Sequence, residues 1–291
     1  MRTLDKDIEE IAFVLGDFGS EVENKLKEMT EHFGAKCSIY HQDVAMGTAH
    51  AVYCARESMQ GEIIVAFADT LFDVKDKVEI EDADSVIWLK QVDNPSSFGV
   101  AVMEAGQIIS FVEKPSEPVS DLAIIGVYYF KIGEDLKKEL VNIVENDLKS
   151  PRGEYELTDA IDALLEKKNV FKPATVDTWL DCGTLQSWID TTNAILESDK
   201  ELPKLQEFSD VKINHPVYIG KDVEISDSEI GPFVSIEDGA KISDCRLTNT
   251  IVNSNSTLND CNLQNSTIGA FNRVEGVSGQ IHTGDHSQLK C

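Results

Sequence analysis

An α/β sheet domain followed by a parallel β-helix is the fold class the sequence predicts, and three observations predict it. Within Glu62 to Asp73, the five apolar residues Ile63 to Phe67 run without alternation, as expected of a strand buried on both faces of a parallel sheet. On either side, strand and helix patterns alternate, the order of a doubly wound, Rossmann-like sheet. Beyond residue 212 that alternation gives way to apolar residues recurring every five or six positions, the period of a β-helix. The chain therefore divides into an α/β domain with a mixed sheet over 1–198, a linker over 199–212 and a hexapeptide-repeat β-helix over 213–291.

The first strand is expected at Ile11 to Gly16. A helix follows over Glu21 to Phe33, where Val22, Leu26, Met29 and Phe33 share one face and Ser20 supplies the N-cap. Ala35 to Tyr40 reads as the second strand, and the loop His41 to Thr48 opens a helix over Ala49 to Ser58. After the Ile63 strand the pattern becomes β-rich, with candidates at Val86–Leu89, Gly99–Val102, Ile108–Val112 and Ala123–Phe130. Helices are expected over Gly133 to Asn146 and from Leu157 to Lys168, then a strand at Val176 to Leu180 and a closing amphipathic helix at Gln186 to Glu197. The polar run Ser198 to Lys204 ends the helical pattern and starts the linker. Ile213, Ile219, Ile225, Ile230, Ile236, Ile242, Leu247, Val252, Leu258, Leu263, Ile268 and Val274 then mark the inward positions of a short left-handed parallel β-helix. At about three sides per coil these positions make roughly four coils. Asn249, Asn253, Asn255, Asn259, Asn262 and Asn265 suit corners that need left-handed backbone.

Composition narrows the function. Against 26 Lys and Arg stand 52 Asp and Glu, a formal net charge of -26, which excludes a nucleic-acid or anionic-membrane surface. A small anionic substrate is still compatible, because a few local cations and a metal can hold a phosphate. The six cysteines include no C-x-x-C pair, so reduced thiols in a cytoplasm are expected. No apolar run approaches the roughly 20 residues of a membrane span, and Met1 to Asp7 lacks the apolar core of a signal peptide.

Asp69 stands where the Ile63 strand would leave the sheet, and ligands collect at such strand ends. A carboxylate there is either a metal ligand facing a phosphate or an N-cap. Four further clusters accompany it: Gln42 with Gly47-Thr48, Ser97-Phe98-Gly99, Phe111-Val112-Glu113-Lys114-Pro115, and Trp179-Leu180-Asp181-Cys182-Gly183-Thr184. In this order, ahead of a hexapeptide β-helix, they resemble the sugar-1-phosphate nucleotidyltransferases of the glucose-1-phosphate thymidylyltransferase and uridylyltransferase type. The resemblance spans nearly the whole chain and is most specific at Glu113-Lys114-Pro115 and at Trp179-x-Asp181-x-Gly183-Thr184.

The resemblance implies nucleotidyl transfer from a nucleoside triphosphate to a sugar-1-phosphate, with glucose-1-phosphate as the family default. It places Gln42, Gly47 and Thr48 at the nucleotide, Asp69 and Asp181 on a Mg²⁺ ion, and Lys114 on the sugar phosphate. Gly99, Glu113, Gly126, Tyr128 and Glu154 would surround the sugar. Residue chemistry leaves alternatives open. Gln42 is a base reader or a surface amide beside a helix-entry turn. Glu113 and Lys114 are adjacent, so a regular strand would send them to opposite faces; the plainer alternative is a solvated ion pair. Tyr128 fits a sugar contact or core packing equally well. Thr158 and Asp159 read as helix caps, and Ala68 replaces the family's usual glycine before the aspartate.

One part of the family pattern has no counterpart. The family's Gly-rich loop, with its Arg and a later Lys, cradles the triphosphate on backbone N–H groups. Gly16-Asp17-Phe18-Gly19 carries no basic residue, and relative to the family roughly 40–50 residues of strand, loop and helix are missing. Impaired turnover is therefore expected of the chain as written. A non-catalytic sugar-phosphate or nucleotide binder, or an assembly subunit using the β-helix to associate with an active paralogue, is the first alternative; association into a homo-oligomer is compatible with either role. A hexapeptide acyltransferase using His215, His282 or His286 is the second.

Overall fold

A computed structural model describes residues 8–74, 80, 82–198, 208 and 210–291. Residues 199–207 and 209, most of the expected linker, lie outside the described residues. The chain separates into two units, Met1–Trp179 and Leu180–Cys291.

The first unit begins with β1 (Glu10–Leu15), α1 (Gly19–His32), β2 (Lys36–His41), α2 (Thr48–Cys54), β3 (Ile63–Ala66) and β4 (Thr70–Asp73). It continues through β5 (Ser85–Gln91), β6 (Gly99–Glu104), β7 (Gln107–Glu113), β8 (Leu122–Phe130), α3 (Gly133–Glu145), α4 (Leu157–Glu166) and β9 (Phe171–Thr175). β10 (Thr178–Asp181) follows, so the expected Val176–Leu180 strand is two short ones broken at Val176 and Asp177.

The central sheet is mixed, in the order β7-β6-β8-β5-β9, with only the β5–β9 pair parallel. β3 runs antiparallel to the second half of β8, from Ile63 opposite Phe130 to Ala66 opposite Val127. The parallel, doubly buried strand expected at Ile63–Phe67 is therefore a half-buried one of four residues, and Phe67 lies just past it. An apolar run reports burial but not strand direction.

β5 and β8 are the strands covered on both faces. Ile87, Leu89, Tyr128 and Phe130 point into one core with Leu136, Leu140 and Ile143 of α3 and Leu157, Ile161 and Leu164 of α4. Val86, Trp88, Val127 and Tyr129 fill a second core on the opposite face. This is the period-two alternation of a strand meeting the i, i+3, i+4 stripe of its covering helices.

β1 and β2 pair parallel in a separate two-stranded sheet, from Glu10 opposite Lys36 to Leu15 opposite His41. The helix between them departs from expectation at its start and on its apolar face. Phe18, not Ser20, is its N-cap, with no side-chain cap bond. Val22, Met29 and Phe33, which share the expected apolar face, are 38%, 53% and 74% exposed. Periodicity identifies an apolar stripe without saying that anything covers it.

The second unit joins α5 (Leu185–Ser198) to a parallel solenoid. One face stacks Val211–Ile213, Ser228–Ile230, Arg246–Val252, Asn262–Ile268 and Ser278–Gly279, making five coils where the apolar count suggested four. The last coil lies outside that count because the five- or six-residue spacing breaks after Val274, and its apolar residues, Ile281 and Leu289, are only partly buried. Inside, Ile230, Ile236, Leu247, Val252, Leu258 and Ile268 form a continuous stack. Asn249, Asn255 and Asn265 take left-handed corners at φ 47°, 56° and 49°. Asn253, Asn259 and Asn262 do not. A further corner is instead built by Asp210, Asp227, Asp244 and Asp260, at φ 60°, 46°, 51° and 52°. α5 sits against the Asn corner: the Asn193 amide donates to Asn249 Oδ1 at 2.7 Å, and Asn249 donates to Asn265 Oδ1 at 2.6 Å.

Candidate active site

The β6–β7 hairpin sets Gly99 directly opposite Glu113. Glu113 Oε2 accepts a hydrogen bond from Thr158 Oγ1 at 3.1 Å, and a Cβ on Gly99 would stand 2.9 Å from the same oxygen. Gly99 thus leaves the space that the Glu113 carboxylate occupies. Thr158 is not the expected cap: α4 starts at Leu157 behind Glu156, with no side-chain cap bond.

Lys114 is exposed and ends the strand at φ 41°, its N–H donating to Phe98 O at 3.0 Å. Strict strand alternation therefore does not govern the Glu113–Lys114 pair. Tyr128 lies buried on β8, edge-on to Phe67 with ring centroids 6.1 Å apart. Burial, and then the Glu113 charge, push its hydroxyl pKa up. Gly126, at φ 80°, donates space to packing: an added Cβ would lie 2.9 Å from Phe67 Cδ2, and Gly126 O accepts the Phe67 N–H at 3.0 Å.

Of the two glutamates near 155, Glu154 is exposed whereas Glu156 is 3% exposed. Glu156 Oε1 lies 3.9 Å from Arg152 Nε and accepts from Ser150 Oγ at 3.5 Å. Burial, reinforced by the Glu113 charge, raises its pKa, while Arg152 and Lys114 oppose that rise. Glu113, Lys114, Arg152 and Glu156 thus form one electrostatically coupled group, of which Arg152 and Glu156 were not singled out from the sequence.

A second cluster surrounds the start of α2. Gly47, at φ 108°, packs so closely on the Tyr155 backbone that a Cβ would stand 2.5 Å from Tyr155 O. Tyr155 N–H donates to Met46 O at 2.9 Å, Ala49 N–H donates to Tyr155 O at 2.8 Å, and Leu157 N–H donates to Thr48 Oγ1 at 2.9 Å. The Gln42 amide donates to Gly47 O at 3.2 Å. The strap Tyr155–Thr158 therefore joins the Gln42–Gly47–Thr48 cluster to the Gly99–Glu113 cluster.

Asp69 is exposed in the turn between β3 and β4. Asp181 belongs to the second unit, where its Oδ1 accepts the Gly183 N–H at 3.2 Å and its carbonyl accepts from Thr191 Oγ1 at 2.6 Å. Among the described residues no group of three or more His, Cys, Asp or Glu side chains is placed to hold a metal. Mg²⁺ does not require one, since it keeps several waters and takes one or two carboxylates plus phosphate oxygens. An exposed carboxylate such as Asp69 fits that donor set.

Trp179 stacks edge-on with Phe98, ring centroids 4.9 Å apart, and its buried indole N–H has no partner among the described residues. Of the solenoid histidines, His282 meets Thr267 Oγ1 and Gln280 Nε2 through its two ring nitrogens, and His286 stacks on Phe271. Both ring nitrogens of His282 are therefore engaged. Among the described residues no helix is long and apolar enough to cross a membrane.

Known proteins resemble this chain, two of them in sequence along almost its full length. A low-salt glycan biosynthesis nucleotidyltransferase of Haloferax volcanii is 31% identical over 97% of this chain and 87% of its own length. A glucose-1-phosphate thymidylyltransferase of Streptomyces griseus is 27% identical over 97% of this chain and 86% of its own. In fold, a UDP-glucose pyrophosphorylase solved with UDP-glucose superposes with a TM-score of 0.52 at 21% identity, over 66% of this chain and 82% of that one. The model of the nucleotidyl transferase family matches residues 1–198, and the chain belongs to that family.

Proposed function

We propose that the first unit binds a sugar-1-phosphate, with glucose-1-phosphate as the substrate, on Gly99, Glu113 and Lys114, and a nucleobase at Gln42 and Gly47. The observation that carries this reading is the strap Tyr155–Thr158, which hydrogen-bonds Thr48 on one side and Glu113 on the other. One segment thereby ties the base subsite to the sugar subsite. The relatives named for glucose-1-phosphate thymidylyl transfer support the choice of sugar phosphate.

In the reaction, an oxygen of the sugar phosphate attacks the α-phosphorus of a nucleoside triphosphate. One P–O bond forms, the α–β P–O bond breaks, and pyrophosphate leaves with the electron pair; no covalent enzyme intermediate is needed. Lys114 neutralises the sugar phosphate as it approaches, and Glu113, oriented by Thr158, accepts hydrogen bonds from sugar hydroxyls. Gly99 keeps that carboxylate in place. Burial raises the Glu156 pKa, which disfavours a second negative charge near Glu113. Mg²⁺, when bound, would neutralise charge on the nucleotide phosphates. Asp69 would hold it.

Two measurements test the proposal. Calorimetric titration with glucose-1-phosphate should show saturable binding that Lys114→Ala weakens. Pyrophosphate release with Mg²⁺, mixed triphosphates and glucose-1-phosphate should exceed the background without sugar phosphate. Absence of saturable sugar-phosphate binding would sink the reading.

A further inference from the structure

The orientation of the Gln42 amide is fixed by its surroundings. Gln42 Nε2 lies 3.2 Å from Gly47 O and 3.0 Å from His50 Nδ1. A backbone carbonyl can only accept, so the amide NH₂, not its oxygen, faces Gly47. One amide hydrogen goes to Gly47 and the second to His50 Nδ1, which must then be the acceptor nitrogen, leaving the imidazole proton on Nε2. Burial lowers the His50 pKa and favours this neutral ring. Tyr53 and Tyr155 flank the imidazole with both ring centroids 6.2 Å away, at interplanar angles of 27° and 28°. The tether thus ends on a held ring rather than a mobile side chain.

We infer that His50 is a positioning residue that locks the Gln42 amide with Oε1 as its one open hydrogen-bonding atom, so that the subsite selects bases carrying a ring N–H. The inference rests on the reading of Gln42 and Gly47 as the base subsite. Uracil, thymine and guanine present a ring N–H to Oε1; cytosine and adenine present a ring nitrogen lone pair at the equivalent position, lone pair against lone pair. A free amide would solve that conflict by turning over and donating. A turned amide would set Oε1 against the Gly47 carbonyl and lose that bond outright, and it would keep the His50 bond only if the imidazole moved its proton from Nε2 to Nδ1.

UMP and CMP form the cleanest pair of probes, since they match in size and differ at this edge. The wild-type chain should bind UMP at least about tenfold more tightly than CMP, the ratio that about 1.4 kcal/mol produces. His50→Leu removes the acceptor and should narrow that ratio to within about threefold. His50→Asn places Oδ1 near the position of Nδ1 and should restore most of it. Thermal melting of each variant separates this role from a merely structural one, because both substitutions disturb the Tyr53–Tyr155 packing and only one removes the acceptor. Unchanged discrimination in a folded His50→Leu variant, or equal loss in both variants, overturns the inference alone. Failure of the wild type to bind either nucleotide removes the base subsite and the inference with it.

Discussion

Gly99→Ala is the substitution that separates the carboxylate's position from its mere presence. The added Cβ would stand 2.9 Å from Glu113 Oε2, 3.0 Å from Thr158 Cγ2 and 3.4 Å from Ile124 Cδ1. Carbon contacts settle at about 3.5–4.0 Å, so the first two neighbours must retreat by several tenths of an ångström. The carboxylate is the end of a flexible side chain, whereas Thr158 is buried on α4; the carboxylate therefore gives way first. Its 3.1 Å bond to Thr158 breaks, and so does any sugar hydroxyl contact aimed at the same oxygen. A hydrogen bond to a charged group is worth about 1.5–3 kcal/mol, which becomes roughly a 10- to 100-fold loss of glucose-1-phosphate affinity. Overpacking a closed site costs about 1–3 kcal/mol of stability, so the variant should still melt cooperatively. Calorimetric titration alongside thermal melting reads both quantities. Binding within about twofold of wild type by a cooperatively folded Gly99→Ala chain would show that the Glu113 carboxylate takes no part in holding the sugar.

Four other outcomes are expected. Thr48→Val keeps the shape of the side chain but strands the buried Leu157 N–H, at about 1–3 kcal/mol of stability by urea denaturation; an unshifted midpoint would mean that water replaces the hydroxyl. Glu156 has a folded-state pKa raised by burial and by Glu113, so its stabilising contribution is complete below the ordinary glutamate range and is lost as pH rises through the folded value. Glu156→Gln should accordingly gain stability over wild type as pH climbs from about 4.5 to neutrality, and parallel pH profiles for the two proteins would contradict this. Asn249→Ala loses its bonds to Asn193 and Asn265 and leaves alanine at φ 47°, a strain of about 1–2 kcal/mol; Asn249→Gly should recover the strain but not the bonds, and equal melting of the two variants would argue otherwise. Asp69→Asn should raise the Mg²⁺ concentration needed for half-maximal pyrophosphate release without moving the melting temperature, whereas an unaltered metal requirement would remove Asp69 as a ligand.

What could be read from the chain alone tracks how local each cause is. The solenoid was legible because each inward residue repeats its neighbour's environment, so Ile230, Leu247 and Leu263 announce themselves by spacing. Glu113-Lys114-Pro115 was legible as a motif, but its geometry was not: the turn at Lys114 φ 41° and the facing of Gly99 by Glu113 arise from hairpin register. Val22, Met29 and Phe33 formed a stripe at the right period, yet no period says what will cover a stripe. Glu156 carries a local signal of its own. The helix behind it buries Leu157, Ala160, Ile161 and Leu164, so its first residue already lies in the core, and the residue before it must be drawn in as well. Thr158 then projects from that buried turn to Glu113, 45 residues earlier in the chain, while Leu157 N–H reaches Thr48 across 109 residues. Both bonds depend on contacts that no window along the sequence contains. They explain why the same short strap could be taken for a pair of helix caps until β7 and α2 were seen on either side of it.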